Sequence, residues 1–357
     1  MDRNQFAFTP GLGKGCTSAL TLIQHHILSY LDEKSGAVRV LMVDLTKAFD
    51  RATKSAVILA LDKLGVSSWI IYWIYNYMSQ RFQAVNVNGI ISSWKEVKSG
   101  VPQGSVLGPL LFAVIVDDLK PIFSNSTIIK YADDMTLLHF LRRKEEDNLQ
   151  EEWDNIKSWC TSVQLAPNGK KTKVMDIITN KKLGEMKSIN ENGTQIENVT
   201  SARLLGIIIS NDMKWGQHIE YVYEKASKRI FSLVQLRGLG APSDVLQRYY
   251  VATIRSILLY GHPAWCNVTE EQRRKLISIE KRVSKLISNW SLPPLFSVAD
   301  SSAMKLMKSV VKFQNHPLSI TVNRRKSSVS HIRREATSHF AKTSRYKMAF
   351  HHYADMV

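Results

Sequence analysis

The sequence predicts an α+β protein: an antiparallel sheet backed by helices, followed by an all-helical region. Three observations carry this. An apolar run, Val38 to Val43, has the length and β-branched content of a buried strand. A second apolar pair of segments flanks Tyr131-Ala132-Asp133-Asp134, where Ile128, Ile129, Thr136, Leu137 and Leu138 favour strands and Asp-Asp favours a tight turn. From about Trp215 onward, apolar residues recur at helical spacing.

The elements follow in order. A glycine-rich loop, Pro10 to Gly15, precedes an amphipathic helix over about Thr17 to Leu31; GLGKGCT lacks the spacing of a phosphate-binding loop and follows no strand. The Val38–Val43 strand ends on Asp44. A helix from about Thr53 to Leu64 stops at Gly65, and Ser67 or Ser68 caps a second helix to Met78 whose aromatics (Trp69, Tyr72, Trp73, Tyr77) read as core packing. Phe82 to Val87 alternates before Asn88-Gly89, a strong hairpin signal. The return strand leads to Gly100-Val101-Pro102-Gln103-Gly104-Ser105, where two glycines and a proline let the backbone approach a ligand closely. Pro109 suits the first turn of a buried helix through Leu119. A charged helix is expected over Arg142 to Cys160, a loop over Leu165 to Lys173, and a strand over Ala202 to Ser210. Three helices then follow: His218 to Leu236, Ser243 to about Tyr260, and one to about Asn289 opened by the capping box Thr269–Gln272. Beyond Trp290 the pattern fades, and Thr321 to Val357, with eight Lys or Arg against two acids, reads as loosely ordered.

Composition narrows the class of function. With 44% hydrophobic and 22% charged residues the chain is globular rather than disordered. Lys and Arg outnumber Asp and Glu by 48 to 31, a net charge of +17, which fits a polyanionic partner, most simply nucleic acid. Six cations on the third helix (Arg273, Arg274, Lys275, Lys281, Arg282, Lys285) suit phosphate contact, although a solvated face explains such a run equally well. Three scattered cysteines without CxxC spacing argue against a disulfide framework or cysteine zinc site. No signal peptide opens the sequence, and its longest apolar run, Val106 to Val116, is too short to span a bilayer.

The chemistry concentrates on three carboxylates: Asp44 at a strand end, with Asp133 and Asp134 at a hairpin tip. An isolated Asp-Asp pair is more often a solvated turn than a site. If strand and hairpin are sheet neighbours, however, the three acids converge. Their oxygens suit Mg²⁺, which keeps several waters and is completed by substrate phosphates. Two such ions, roughly 3.5–4 Å apart, clamp the attacking and leaving oxygens of a phosphoryl displacement. The residues alone lead to two-metal phosphoryl transfer on nucleic acid, and no further.

Three segments sharpen that reading. Val43-Asp44-Leu45-Thr46-Lys47-Ala48-Phe49-Asp50, Gly100 to Ser105, and Tyr131 to Asp134 stand in the order and rough spacing of a reverse transcriptase, and their variants resemble those of non-LTR (LINE-type) retrotransposons. Leu165 to Thr172 resembles the family's next palm motif and Leu204-Leu205-Gly206 its primer-grip strand, so the resemblance spans about residues 4–290. It implies a polymerase palm with partial fingers over 1–212, a helical thumb-like region over 213–292 and a basic tail over 293–357. It implies RNA-directed DNA synthesis from a 3′-hydroxyl primer with dNTPs. Asp44, Asp133 and Asp134 would hold two Mg²⁺ ions, Mn²⁺ being an alternative. Phe49 would be the steric gate beneath the nucleotide sugar. Gln103 and Gly104 would line the nucleotide, and Pro102 and Tyr131 would lie near primer and template. Lys171 would assist pyrophosphate departure. RNA template and DNA target would be the partners, in nucleus or cytoplasm rather than secreted or in a membrane.

Two departures stand out. The family's Leu-x-apolar-Asn motif has Pro167 at its apolar place, which puts the local strand in question. The sequence also begins near what resembles the end of the fingers, as expected of a 5′-truncated element copy lacking the earlier fingers strands and an upstream endonuclease domain. A catalytically inactive remnant that only binds nucleic acid is therefore the rival expectation. Phe49 and the Pro-Gln-Gly-Ser loop argue against two other palm enzymes, RNA-dependent RNA polymerases and nucleotidyl cyclases.

Overall fold

The computed structural model describes residues 2–9, 11, 13–33, 36–142, 145–178, 186–324, 336–337, 341, 346 and 349–356. Pro10 and Leu12 of the glycine-rich loop, and most of the tail expected to be loosely ordered, lie outside these residues. The chain forms two compact units. One comprises Met1–Gly15, Ala37–Asp176 and Lys181–Val199; the other comprises Cys16–Gly36, Ile177–Asn180 and Thr200–Val357.

The first unit is built on a five-stranded sheet. Its strands are β1 (Ala37–Val43), β2 (Ser126–Tyr131), β3 (Asp134–Leu141), β4 (Lys173–Ile178) and β5 (Glu197–Asn198), in the order β5–β4–β1–β3–β2. β1 pairs antiparallel with β3 from Ala37↔Leu141 to Val43↔Met135, and β2 pairs antiparallel with β3. A strand flanked on both sides is buried on both faces, which explains the unbroken apolar run of β1. Helices in this unit include Lys54–Lys63, Ser68–Tyr77, Leu107–Ile115 and Leu149–Ser162. The core joins Leu41, Phe112, Ile115, Leu137 and Trp153. Burying each such aliphatic or Phe side chain contributes ~1.5–3 kcal/mol.

Local chemistry sets the helix ends. Thr53 caps Lys54–Lys63 by accepting a hydrogen bond from the Ala56 N–H at 3.2 Å, and Gly65, at φ 70°, ends the run. The one charge inside β1, Arg39, is 1% exposed and needs partners. It finds Asp147 at 2.5 Å and Asp176 at 2.8 Å, and Asn198 donates to the second oxygen of Asp176. That network accounts for one difference from the sequence reading. The charged helix begins at Leu149 rather than Arg142, because Asp147 is drawn to the sheet.

A second difference is larger. Ser68–Tyr77 is a helix as expected, but of its residues only Ile74 is buried, while Trp69 is 72% exposed and Tyr72 and Trp73 are also out. Trp69, Tyr72 and Trp73 are therefore not core packing, whereas half-buried Tyr77 does pack against the core. The hairpin at Asn88-Gly89 forms with both residues at positive φ, as a tight primed turn requires.

The second unit is mainly helical and includes the N-terminal helix Cys16–Glu33. The expected strand Ala202–Ser210 is instead a hairpin, Ser201–Leu204 against Ile207–Ser210, turning at Leu205 (φ 44°) and Gly206 (φ 89°). Helix Gly216–Gly238 buries the face the periodicity picks out: Ile219, Val222, Ala226, Ile230 and Leu233. The capping box at Thr269 and Gln272 forms and opens Glu270–Ser284. Ser243 to Leu259 is helical throughout but carries a π-helical turn at Val251–Arg255. Buried Arg255 donates to Glu280 at 2.7 Å and to the Pro293 carbonyl at 2.6 Å, and Glu280 also accepts from Tyr250 and the Leu295 N–H. Leu295 then opens a helix to Lys312 in the segment where the sequence pattern fades.

Candidate active site

The tip of the β2–β3 hairpin is a two-residue loop, Ala132-Asp133, closed by the pair Tyr131↔Asp134. Ala132 adopts φ 56°, an unusual conformation for a residue with a β-carbon. Asp133 stands half-buried in the turn, whereas Asp134 is the exposed first residue of β3. Because Val43 pairs with Met135, the next residue of β1's chain, Asp44, emerges at the same sheet end as Asp134. The strand and hairpin are thus direct neighbours, the condition on which convergence of the three acids depended.

Electrostatics agree with that placement. Burial raises the Asp133 carboxyl above the usual carboxylate range, and the charge of Asp44 pushes it the same way against a bond from its own backbone N–H. Asp134, though exposed at its surface, is raised first by the desolvation that the packed sheet end imposes, then by Asp133, then by Asp44. Two hairpin carboxylates whose ionisation is disfavoured, with the Asp44 charge beside them, form a site where a cation would be welcome. Among the described residues, no three His, Cys, Asp or Glu side chains are already gathered to hold an ion by themselves. The oxygen-only donor set nevertheless fits a hard cation that takes its remaining ligands from water and phosphate.

The segment after Asp44 is held from two sides. On one side lies the loop of Leu165 to Thr172. The Thr46 N–H donates to the Ala166 carbonyl, the Asn168 N–H to the Asp44 carbonyl, and the Asp44 N–H to Thr172 Oγ1. Between the first two bonds, Leu45 faces Pro167 in an antiparallel bridge. Both hydrogen bonds come from neighbours of Pro167, so its missing N–H breaks no rung. The proline does not abolish the local pairing after all.

On the other side lies the Gly100–Ser105 loop. The Val101 N–H donates to the Phe49 carbonyl and the Gly100 N–H to the Ala52 carbonyl, both at 3.0 Å. Gln103 Nε2 donates to Asp50 Oδ1 at 2.7 Å, and Arg81 fixes the loop through the Gly100 carbonyl at 2.6 Å. Gly100 has φ 89°, and a β-carbon there would sit 3.0 Å from the Asp50 carbonyl oxygen, so both conformation and space call for glycine. Pro102 is half-buried, Gln103 and Gly104 are exposed, and nothing lies near where a Gly104 side chain would be. Phe49 is half-buried, stacked on Phe112 with ring centroids 4.5 Å apart, with Phe8 edge-on at 6.4 Å.

Most of the predicted residues therefore belong to one neighbourhood at the end of the sheet. Asp44 emerges at the same sheet end as Asp133 and Asp134, near enough for its charge to act on both, Tyr131 closes the turn, and Phe49 with Pro102, Gln103 and Gly104 belongs to the fastened pair of loops. Lys171 is different. It is exposed, its N–H bonds the Asn168 carbonyl, and its side chain makes no ion pair among the described residues.

Sequence reasoning missed the supports. Gln5, Arg81, Lys130 and Thr172 hold the motif backbones, and each looks ordinary in one dimension. Lys130 is wholly buried. Its Nζ donates to the carbonyls of Val116, Asp117 and Leu119 at 2.7, 3.1 and 3.0 Å and pairs with Asp2 at 2.9 Å. Burial lowers its pKa, and Asp2 opposes that. A lysine within an apolar strand was the one available signal.

The site is thus a sheet end bearing neighbouring acids, flanked by two backbone-fastened loops. Residues 1–209 match the family "Reverse transcriptase (RNA-dependent DNA polymerase)", and the chain belongs to that family. It is 27% identical over 299 residues to a protein of Drosophila melanogaster named "Probable RNA-directed DNA polymerase from transposon BS", covering 80% of this chain and 32% of that protein. It is 23% identical over 298 residues to the "RNA-directed DNA polymerase from mobile element jockey" of the same organism, with the same two coverages. The chain thus spans about a third of the length of these relatives. Among solved structures, apo telomerase from Candida Tropicalis matches 83% of this chain and 50% of that one at 12% identity and a TM-score of 0.43. No described helix is long and apolar enough to cross a membrane.

Proposed function

We propose that this chain carries the catalytic region of a retrotransposon RNA-directed DNA polymerase, extending a 3′-hydroxyl primer on an RNA template with dNTPs. The observation that carries the reading is the placement of Asp44 beside Asp133 and Asp134 at one sheet end, where desolvation first and the charge of Asp44 after it raise both hairpin acids. Asp44 and one or both hairpin aspartates would hold divalent cations, Mg²⁺ or Mn²⁺. Bound there, such ions supply charge neutralisation for a primer 3′-oxygen and a departing pyrophosphate.

The chain's own residues supply the positioning. The Thr172 and Asn168 bonds hold Asp44 in place at the end of β1. Phe49, braced on Phe112, offers a rigid ring that would leave no room for a ribose 2′-hydroxyl and so favour deoxynucleotides. Gln103, oriented by Asp50, and Gly104, with open space above its backbone, would border the incoming nucleotide. Pro102 and Tyr131 would lie along template and primer. Lys171, exposed on the loop beside Asp44, would assist departure of the pyrophosphate. The net charge of +17 would draw the nucleic acid, making affinity steeply salt-dependent.

Primer extension on an RNA template with Mg²⁺ tests the proposal. Extension abolished by Asp133→Ala, with ribonucleotide exclusion loosened by Phe49→Ala, supports it. Binding of primer-template without any extension by the unaltered chain would leave the non-catalytic remnant as the correct reading.

A further inference from the structure

We infer that Gln5 is a positioning residue, setting the Ala132-Asp133 turn so that the hairpin aspartates can share a cation with Asp44; this rests on the polymerase reading above. Gln5 is completely buried, 127 positions from the turn it touches. Its Oε1 accepts two backbone N–H groups, from Ala7 at 3.2 Å and from Ala132 at 3.3 Å. The first of those bonds folds its own segment; the second reaches the tip of the hairpin.

The segment carrying Gln5 is itself registered on β2. The Lys130 N–H donates to the Asn4 carbonyl at 2.8 Å, the Phe6 N–H donates to the Lys130 carbonyl at 2.9 Å, and Gln5 bridges Lys130 in parallel. Asn4 to Phe6 thus forms a short extra rung on the edge of the sheet, ending level with the turn. Lys130 clamps the other direction, tying β2 to three carbonyls after helix Leu107–Ile115. Between these two supports sits Ala132, in a left-handed conformation that a β-carbon disfavours. A hairpin tip carrying two repelling acids in such a conformation needs an external restraint, and the Gln5 bond is aimed at that residue's N–H.

One feature separates positioning from packing. The Gln5 Nε2 is buried with no hydrogen-bond partner among the described residues. An unpaired buried amide nitrogen is costly, and Met would fill the same volume without that cost. What Gln supplies and Met lacks is the acceptor that receives Ala132.

The test measures Mn²⁺ binding directly, by loss of the free-ion EPR signal, with melting followed by circular dichroism. Gln5→Met removes the acceptor at constant length, Gln5→Asn withdraws it by one methylene, and Gln5→Glu retains it. Expected is an affinity weakened about tenfold or more in Gln5→Met and Gln5→Asn at temperatures where both are folded, as for other supports of metal ligands, with most of it restored in Gln5→Glu. Asp134→Asn gives the reference for direct ligand loss. Wild-type affinity in folded Gln5→Met or Gln5→Asn overturns the inference. So does a pattern in which both fail to fold while Gln5→Glu folds, since Gln5 would then serve stability alone. No Mn²⁺ binding by the unaltered chain overturns it as well. Should the unaltered chain bind Mn²⁺ and lose it through Gln5→Met, yet never extend a primer, the positioning role stands and the polymerase reading falls.

Discussion

Gly108→Ala offers the sharpest test of how the Gly100–Ser105 loop is held. Gly108 lies in the first turn of helix Leu107–Ile115, and its N–H donates to Ser105 Oγ at 2.9 Å. Ser105 in turn donates to the Pro102 carbonyl at 2.6 Å. A β-carbon on Gly108 would stand 2.5 Å from that same Pro102 oxygen and 3.1 Å from Ser105 Oγ. Ordinary contact begins near 3.4 Å, so helix and loop must part by close to an ångström. Alanine gains about 0.5–1 kcal/mol over glycine in a helix, but overpacking of this kind costs ~1–3 kcal/mol. The expected net is destabilisation of about 1–2 kcal/mol, read by urea unfolding. The functional effect should be larger. Pro102 precedes Gln103, and a displacement of this size in a positioning loop can cost up to ~100-fold in rate. Steady-state primer extension should therefore show kcat/KM for dNTPs reduced about 10–100-fold while primer-template affinity holds. A variant that melts higher than the parent and keeps its kcat/KM would refute the packing argument.

Two further outcomes concern stability. Lys130→Met should destabilise by ~1–3 kcal/mol, because it removes the buried donor to three helix-end carbonyls, while Asp2 keeps Lys120 at 2.6 Å; chemical unfolding showing no loss would mean those carbonyls are met otherwise. His218 and His262 are buried, and burial lowers each imidazole to about 4 from 6.5. The unfolded chain therefore takes up protons that the folded chain refuses. This stability is fully present above the unfolded value near 6.5 and is lost as pH falls toward 4, about 3 kcal/mol per histidine at the limit. The urea midpoint should thus drop between pH 7 and pH 5, and a flat profile would count against neutral burial.

The placement of the candidate site's motifs was legible in one dimension because strand ends and turns depend on residue type at short spacing. Asp44 after an apolar strand, two acids in a turn between strand-formers, and a Gly-Val-Pro-Gln-Gly loop are local patterns, and local patterns specify strand ends and turns. Thr269 with Gln272 and the buried face of Gly216–Gly238 were legible for the same reason. Where the pattern misled, a long-range partner was responsible. The Ser68–Tyr77 aromatics read as core since aromatics usually are, yet Trp69, Tyr72 and Trp73 are exposed and of the four only Tyr77 packs against the interior. Leu204-Leu205-Gly206 read as strand, although Leu205 and Gly206 turn the chain, and Tyr260 packs against Gly206 and donates to the Leu205 carbonyl.

The sequence by itself determined which groups could do chemistry: three oxygen-bearing acids, an aromatic five residues after the first, and a cationic excess for a polyanion. Their identities are covalent facts that folding cannot alter. Only the tertiary structure decided that Asp44 stands beside the hairpin, since that follows from β1 pairing with β3, which sets Val43 opposite Met135, 92 positions further along the chain. It also decided what holds the acids in place. Gln5, Lys130 and Thr172 act through hydrogen bonds to backbone more than ten residues away, and such contacts leave no periodicity or spacing to read.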